Sequence, residues 1–170
     1  KKPSGLRLSK LKKSPKYQTG NFQNLHHTPQ LAEGYTLTDV IYKNFIRRSP
    51  RRNPGIILPS VYNDINNIPP EKNILIWFGH SSYYLQLERK RILVDPVFSG
   101  NASPVRGTNK AFAGTDIYAV EDLPPIDYLF ITHDHYDHLD YETAKKLRNK
   151  TGEVICGLGA GSHLEYWGFD

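Results

Sequence analysis

The segment Leu123–Asp140, LPPIDYLFITHDHYDHLD, constrains this chain more than any other stretch. Ile126–Thr132 is the most apolar run of the sequence, and two prolines introduce it. A short run rich in Ile, Leu, Phe and Tyr, bounded by turn formers, predicts a buried strand. Directly behind it stand His133, Asp134, His135, Tyr136, Asp137 and His138. The chain has 7 histidines, and packing gives no reason to gather three of them within six positions. Imidazole and carboxylate are the usual ligands of a zinc-like catalytic ion. In this His-x-His-x-Asp-His spacing, His133 and His135 can converge on one ion from an extended loop. Asp137 and His138 can be turned toward a second. Two ions about 3.5–4 Å apart share a bridging hydroxide that attacks a carbonyl or phosphorus centre. The competing reading, a polar helix entry with solvated histidines, gives no reason for the cluster to sit at a strand end.

The elements around the cluster predict an α/β (α+β) domain. Asn73–His80, Ser82–Glu88 and Arg91–Pro96 read as strands with a tight turn at Arg89–Arg91, the start of a β-meander. Phe98–Asp116 is a long loop rich in Gly, Ser and Asn, and loops of that length are usually functional. After the cluster, Asp140 caps a helix over Asp140–Lys150, GEVICGLG forms a strand, and AGSHLEYWGFD opens another helix. In such β–α–β units ligands bind at the carboxyl ends of strands, where the cluster lies.

Charge divides the chain into two parts, 1–60 and 61–170. Residues 1–60 hold twelve of the 22 lysines and arginines but only two of the 17 acids, Glu33 and Asp39. This arm is expected to be flexible over residues 1–20. It should carry one helix over Tyr35–Gly55, capped at Thr36 and Asp39, ending in the cationic RRSPRR and docked on the domain. A basic arm suits an anionic surface, or it is simply a solvated tail. Peripheral membrane contact through it is one expected partnership. Nucleic acid is not expected, because aromatic and basic residues are not interleaved as in single-strand binders. Neither an intact signal peptide nor a membrane-spanning run is seen, so the protein is expected to be cytoplasmic or peripheral at a membrane. Cys156, the 1 cysteine, sits in an apolar run and reads as a small buried hydrophobe.

Beyond this, the chain resembles the metallo-β-lactamase-fold hydrolases, whose signature is the histidine motif. Within them it is most similar to the branch of N-acyl-phosphatidylethanolamine-hydrolysing phospholipase D. IWFGHSSYYLQL (Ile76–Leu87), ILVDPVFSGNASP (Ile92–Pro104), the segment Leu123–Asp140 and GLGAGSHLEYWG carry that likeness. The ascorbate-phosphate lactonases share the Gly-His strand and the Asp-Pro turn. The resemblance implies the N-terminal half of an αββα sandwich and two divalent ions, zinc by default, with iron or manganese using the same ligand types. It makes His133 and His135 ligands of the first ion and Asp137 and His138 ligands of the second, with Asp137 also orienting the hydroxide. Asp95 would brace the histidine loop from behind, or simply initiate a turn before Pro96. His80 would be a further supporting residue, or a structural strand-end histidine, while His26, His27 and His163 read as structural.

The family's later ligands, a histidine, a bridging aspartate and a final histidine, have no match before Asp170. The chain is therefore expected to be part of a longer polypeptide, with the missing C-terminal half of the same domain as its partner. The implied function is hydrolysis of a phosphodiester in a small-molecule or lipid substrate. The alternatives are a lactonase for a phosphorylated sugar acid and a non-catalytic binding or structural fragment.

Overall fold

The computed structural model describes residues 2–47, 53–105 and 107–169. Helix α1 (Gly5–Lys12) is followed by the paired strands β1 (Tyr17–Gln18) and β2 (Asn21–Phe22). Helix α2 (Leu37–Ile41) runs on into a wider π-helical turn, Tyr42–Ile46. The body is a five-stranded sheet of β3 (Ile74–Gly79), β4 (Ser82–Leu87), β5 (Lys90–Val94), β6 (Ile126–Ile131) and β7 (Thr151–Cys156). Helix α3 (Tyr141–Leu147) connects β6 to β7, and α4 (Gly161–Tyr166) follows β7. Spatial order equals chain order, with β3, β4 and β5 antiparallel and β5, β6 and β7 parallel. The meander and the β–α–β unit are thus one continuous sheet of a mixed α/β fold.

Register explains the core. Ile76, Tyr84, Leu93, Leu129 and Val154 stand opposite one another across all five strands. Tyr84, Leu93 and Leu129 are completely buried, in a cluster with Ala144 and Leu147 of α3, Leu164 of α4, and Tyr118, Val120 and Leu123. The other face is apolar too: Trp77, Tyr83, Val94, Phe130 and Ile155 form the neighbouring row. Trp77 is 67% exposed and Ile155 42%, and Phe130, expected to be buried, is only half-buried.

Three expectations change. Residues 1–20 are not featureless: α1 buries Leu11 and ties Arg7 to Glu165 of α4 by an ion pair. Among the described residues of Tyr35–Gly55, helix runs over Leu37–Ile46. Its capping box forms, Asp39 N–H donating to Thr36 Oγ1 and Thr36 N–H to Asp39 Oδ2. However, no residue of α2 is buried, so this helix is not docked as expected. Arg48–Arg52, most of the cationic stretch, lie outside the described residues. Finally, the β4–β5 turn is Glu88–Arg89, both in the left-handed region, because Leu87 pairs with Lys90. The remaining boundaries shift by a residue or two.

The long loop after β5 is folded back on itself. Ala102 N–H donates to Asn109 O, Ala111 N–H to Gly100 O, and Asn101 bridges Lys110. Its base is held by α3, with Phe98 N–H donating to Thr143 Oγ1 and Ser99 N–H to Asp140 Oδ2. Its far end is held by Leu58 N–H on Ala113 O and Ser60 Oγ on Gly114 O. Gly114 has φ +93, and a Cβ there would overlap the Leu58 carbonyl oxygen and lie 2.9 Å from Ile57 Cγ2. Gly114→Ala is therefore expected to cost about 1–3 kcal/mol, read as a lowered midpoint in urea unfolding.

Candidate metal centre

Every residue singled out around the cluster comes from one end of the sheet. Strand β6 ends at Ile131 and delivers Thr132–His138. Strand β5 ends beside it and delivers Asp95, and the β3–β4 turn delivers His80 and Ser81.

Asp95 is the anchor. Its residue is 1% exposed and its backbone N–H donates to Phe130 O at 3.0 Å. Oδ1 accepts from Thr132 N–H at 2.8 Å, and Oδ2 accepts from Thr132 Oγ1 at 2.7 Å and faces His138 Nδ1 at 2.8 Å. A carboxylate on Nδ1 fixes the imidazole so that Nε2 is the nitrogen aimed outward, the arrangement typical of a metal-bound histidine. Asp95 thus contacts both Thr132 and His138 as well as preceding Pro96.

His80 Nε2 lies 3.0 Å from Asp137 Oδ2, and His138 Nε2 lies 3.7 Å from the same oxygen. Ligand-type atoms of His80, Asp137 and His138 all fall within 4.8 Å of one another. Burial penalises the Asp137 carboxylate, but its own backbone N–H, His138 and His80 outweigh that and hold its pKa below the ordinary value. His133 and His135 meet ring to ring at 4.6 Å, and His133 lies over His138 at 3.9 Å. Thr132 Oγ1 sits 2.9 Å from His133 Nδ1. The four motif residues are therefore brought together, and His80 joins the Asp137–His138 side. His163 lies 3.8 Å from Asp134 Oδ2 and packs on Trp167, with its pKa lowered by burial. His26 and His27 are exposed. Cys156 is half-buried beside the core, and burial pushes its thiol pKa up.

Sequence reading missed Ser81 and Thr132. Ser81 Oγ lies 3.1 Å from His138 Nδ1 and donates to Asp137 O at 3.4 Å. A serine in a hairpin turn and a threonine ending a strand are common, so neither carries a signal by spacing.

Two cavities meet at Asp137. One of about 490 Å³ is walled by Trp77, Phe78, Phe98, Phe112 and Tyr118, with His80 and Asp137 also lining it. The other, about 400 Å³, is bounded by Ala102–Pro104 and Asn109 on one side and Asp134–Asp137 on the other. The folded-back loop walls both.

The sequence profile of the family described as "Beta-lactamase superfamily domain" matches residues 90–169, which contain Asp95 and the whole cluster. An uncharacterised Mycobacterium tuberculosis protein is 30% identical over 156 residues, 91% of this chain and 42% of the relative. N-acyl-phosphatidylethanolamine-hydrolyzing phospholipase D 1 of Caenorhabditis elegans is 30% identical over 131 residues, 67% of this chain and 34% of the relative. The chain belongs to the metallo-β-lactamase superfamily. A solved structure, a diiron β-hydroxylase from Streptomyces venezuelae, aligns with 31% identity and a TM-score of 0.44 over 60% of this chain and 20% of its own. The chain thus spans about two fifths or less of the length of these proteins. No helix among the described residues is long and apolar enough to cross a membrane.

Proposed function

We propose that this chain carries one ligand-bearing part of a dinuclear metal-dependent hydrolase that cleaves phosphodiesters in phospholipid-like substrates. The observation that carries the reading is Asp137, a carboxylate in contact with His80 and His138 where two cavities meet. The donor set fits divalent ions: imidazoles and a carboxylate, with His138 already oriented by Asp95. His133 and His135 would hold one ion, and Asp137 and His138 the other. Such ions, when bound, generate a nucleophile from water near neutral pH and steady the charge that develops on phosphorus oxygens.

The rest falls to the chain's own residues. Asp137 orients a water toward the reacting phosphorus. Asp95 and Thr132 hold the loop so that this orientation does not drift. The aromatic cavity takes an acyl chain and shields the reacting centre from bulk solvent. The basic arm faces an anionic lipid surface, with Lys10, Lys12, Lys13 and Lys16 at or beside α1 and exposed Leu37, Ile41 and Ile46 beside Lys43. The likeness to the nematode phospholipase D supports the lipid class of substrate.

The test is hydrolysis by zinc-loaded protein of three substrates: N-acyl-phosphatidylethanolamine vesicles, bis(p-nitrophenyl) phosphate and a phosphorylated sugar-acid lactone. Turnover of the first two, abolished by EDTA and restored by zinc, iron or manganese, is the expected result. Turnover of the lactone alone would favour the lactonase. Phe112→Ala should raise KM for the long-chain lipid about tenfold, the loss expected for one buried aromatic contact, with no change for the short phosphodiester.

A further inference from the structure

We infer that His80 is a direct metal ligand, so that His80, Asp137 and His138 form a three-ligand site wholly within this chain. The inference rests on the metal-centre reading above and adds a residue that the motif does not contain. The first argument is spacing. Ligands about 2.0–2.1 Å from a tetrahedral zinc lie about 3.3 Å from one another. The two separations from Asp137 Oδ2, 3.0 Å to His80 Nε2 and 3.7 Å to His138 Nε2, bracket that value. All the ligand-type atoms stay within 4.8 Å.

The second argument is backbone. Gly79 pairs with Ser82, so His80 and Ser81 form a two-residue turn. His80 has φ 46, in the left-handed region, next to Gly79 at φ 108. A hairpin turn of this kind ordinarily uses Gly or Asn. Strain of this sort persists where the surroundings over-determine it, most often at functional sites. Here it places the imidazole in a turn that faces Asp137.

The third argument is that the turn is clamped on both sides. Trp77 Nε1–H donates to His80 O at 2.9 Å, fixing the turn against β3. Ser81 reaches across to His138 Nδ1 and Asp137 O, fixing it against the cluster. The imidazole of His80 is therefore delivered to Asp137 by a held backbone. With His138 Nδ1 committed to Asp95, the three ligand-type atoms gather at one end of the sheet. Three protein ligands with an open position is the composition of a catalytic zinc site. It follows that the two ions are unequal: the Asp137 side has three ligands in this chain and the His133–His135 side has two.

The test is titration of the metal-free 170-residue chain with Co(II), followed by visible absorption and by proton NMR of hyperfine-shifted imidazole N–H signals. The wild type is expected to bind one Co(II) tightly, with the His80 ring among the shifted signals in selectively labelled protein. His80→Asn keeps a residue that accepts the left-handed backbone but removes the imidazole. It should bind about 100-fold more weakly or worse, with a changed absorption spectrum and one shifted ring signal fewer. A variant that loses affinity with an unchanged spectrum would show that His80 only hydrogen-bonds Asp137, and the inference would fail. A wild-type His80 ring without a hyperfine shift overturns it as well, whether or not the variant folds. A wild-type chain that takes up no Co(II) at all would overturn the metal-centre reading itself, a separate outcome.

Discussion

Asp95→Asn is expected to weaken divalent metal binding 10–100-fold while the fold stays in place. The substitution is chosen because it separates two roles. Asp95 has φ 41, and Asn accepts that backbone as readily as Asp does. An Asn would serve equally well to start a turn before Pro96. It cannot serve as the brace. The carboxylate accepts on both oxygens from Thr132 and faces His138 Nδ1. An amide has one accepting oxygen, and its NH2 would point at a donor. Hydrogen bonds to a charged, buried partner are among the stronger ones, and a buried donor left without an acceptor costs about 1–3 kcal/mol. The consequence is felt first at His138, whose ring loses the contact that aims Nε2 outward. Isothermal titration with zinc, beside a circular dichroism melt, reads both effects. Equal affinity for the variant would mean that Asp95 is there for the turn.

Leu129→Ala is expected to lower stability by about 2–5 kcal/mol, the range for deleting a fully buried leucine, and the melting temperature by about 10 °C. Leu129 has no exposed surface and stands between Leu93 and Val154 in the row that begins at Ile76. Its neighbours on both sides are strands, which cannot close in on the void without breaking the ladder. The same strand carries Thr132–His138, so the cluster inherits the disturbance. Differential scanning calorimetry gives the first number. A loss under 1 kcal/mol would mean that the sheet collapses around the cavity more freely than its pairing suggests.

The strands were legible because alternation and β-branched or aromatic content agree along Ile74–Gly79, Ser82–Leu87 and Ile126–Ile131. The four motif residues were legible because their spacing has chemical meaning. Other features depend on contacts between distant parts of the chain. Helix α1 has a polar, lysine-rich sequence and buries one residue, Leu11. What fixes it is Arg7 on Glu165, 158 positions away. Helix α2 was over-read for the opposite reason. Its apolar period continues past Ile41, yet no residue of Leu37–Ile41 is buried, and the helix loses its regular geometry at Tyr42. The turn after β4 was placed one residue late because neither Glu88 nor Arg89 is a usual left-handed residue. His80 could not be tied to Asp137 from sequence, since 57 residues and a strand pairing separate them.

Among the described residues, two of the five non-glycine positions in the left-handed region, His80 and Asp95, are in the candidate metal centre. That region admits few side chains at tolerable cost, chiefly Gly, Asn, Asp and His. Of these, His and Asp also bind or orient metal ions, and Gly and Asn do so poorly. The backbone therefore restricts the alphabet at positions 80 and 95 before chemistry has any say. Most substitutions there should cost about 1–2 kcal/mol in backbone strain, and Asn or Gly should cost least. A lineage that abandoned the metal should carry those residues at both places, a record of lost chemistry that can be read from any related sequence.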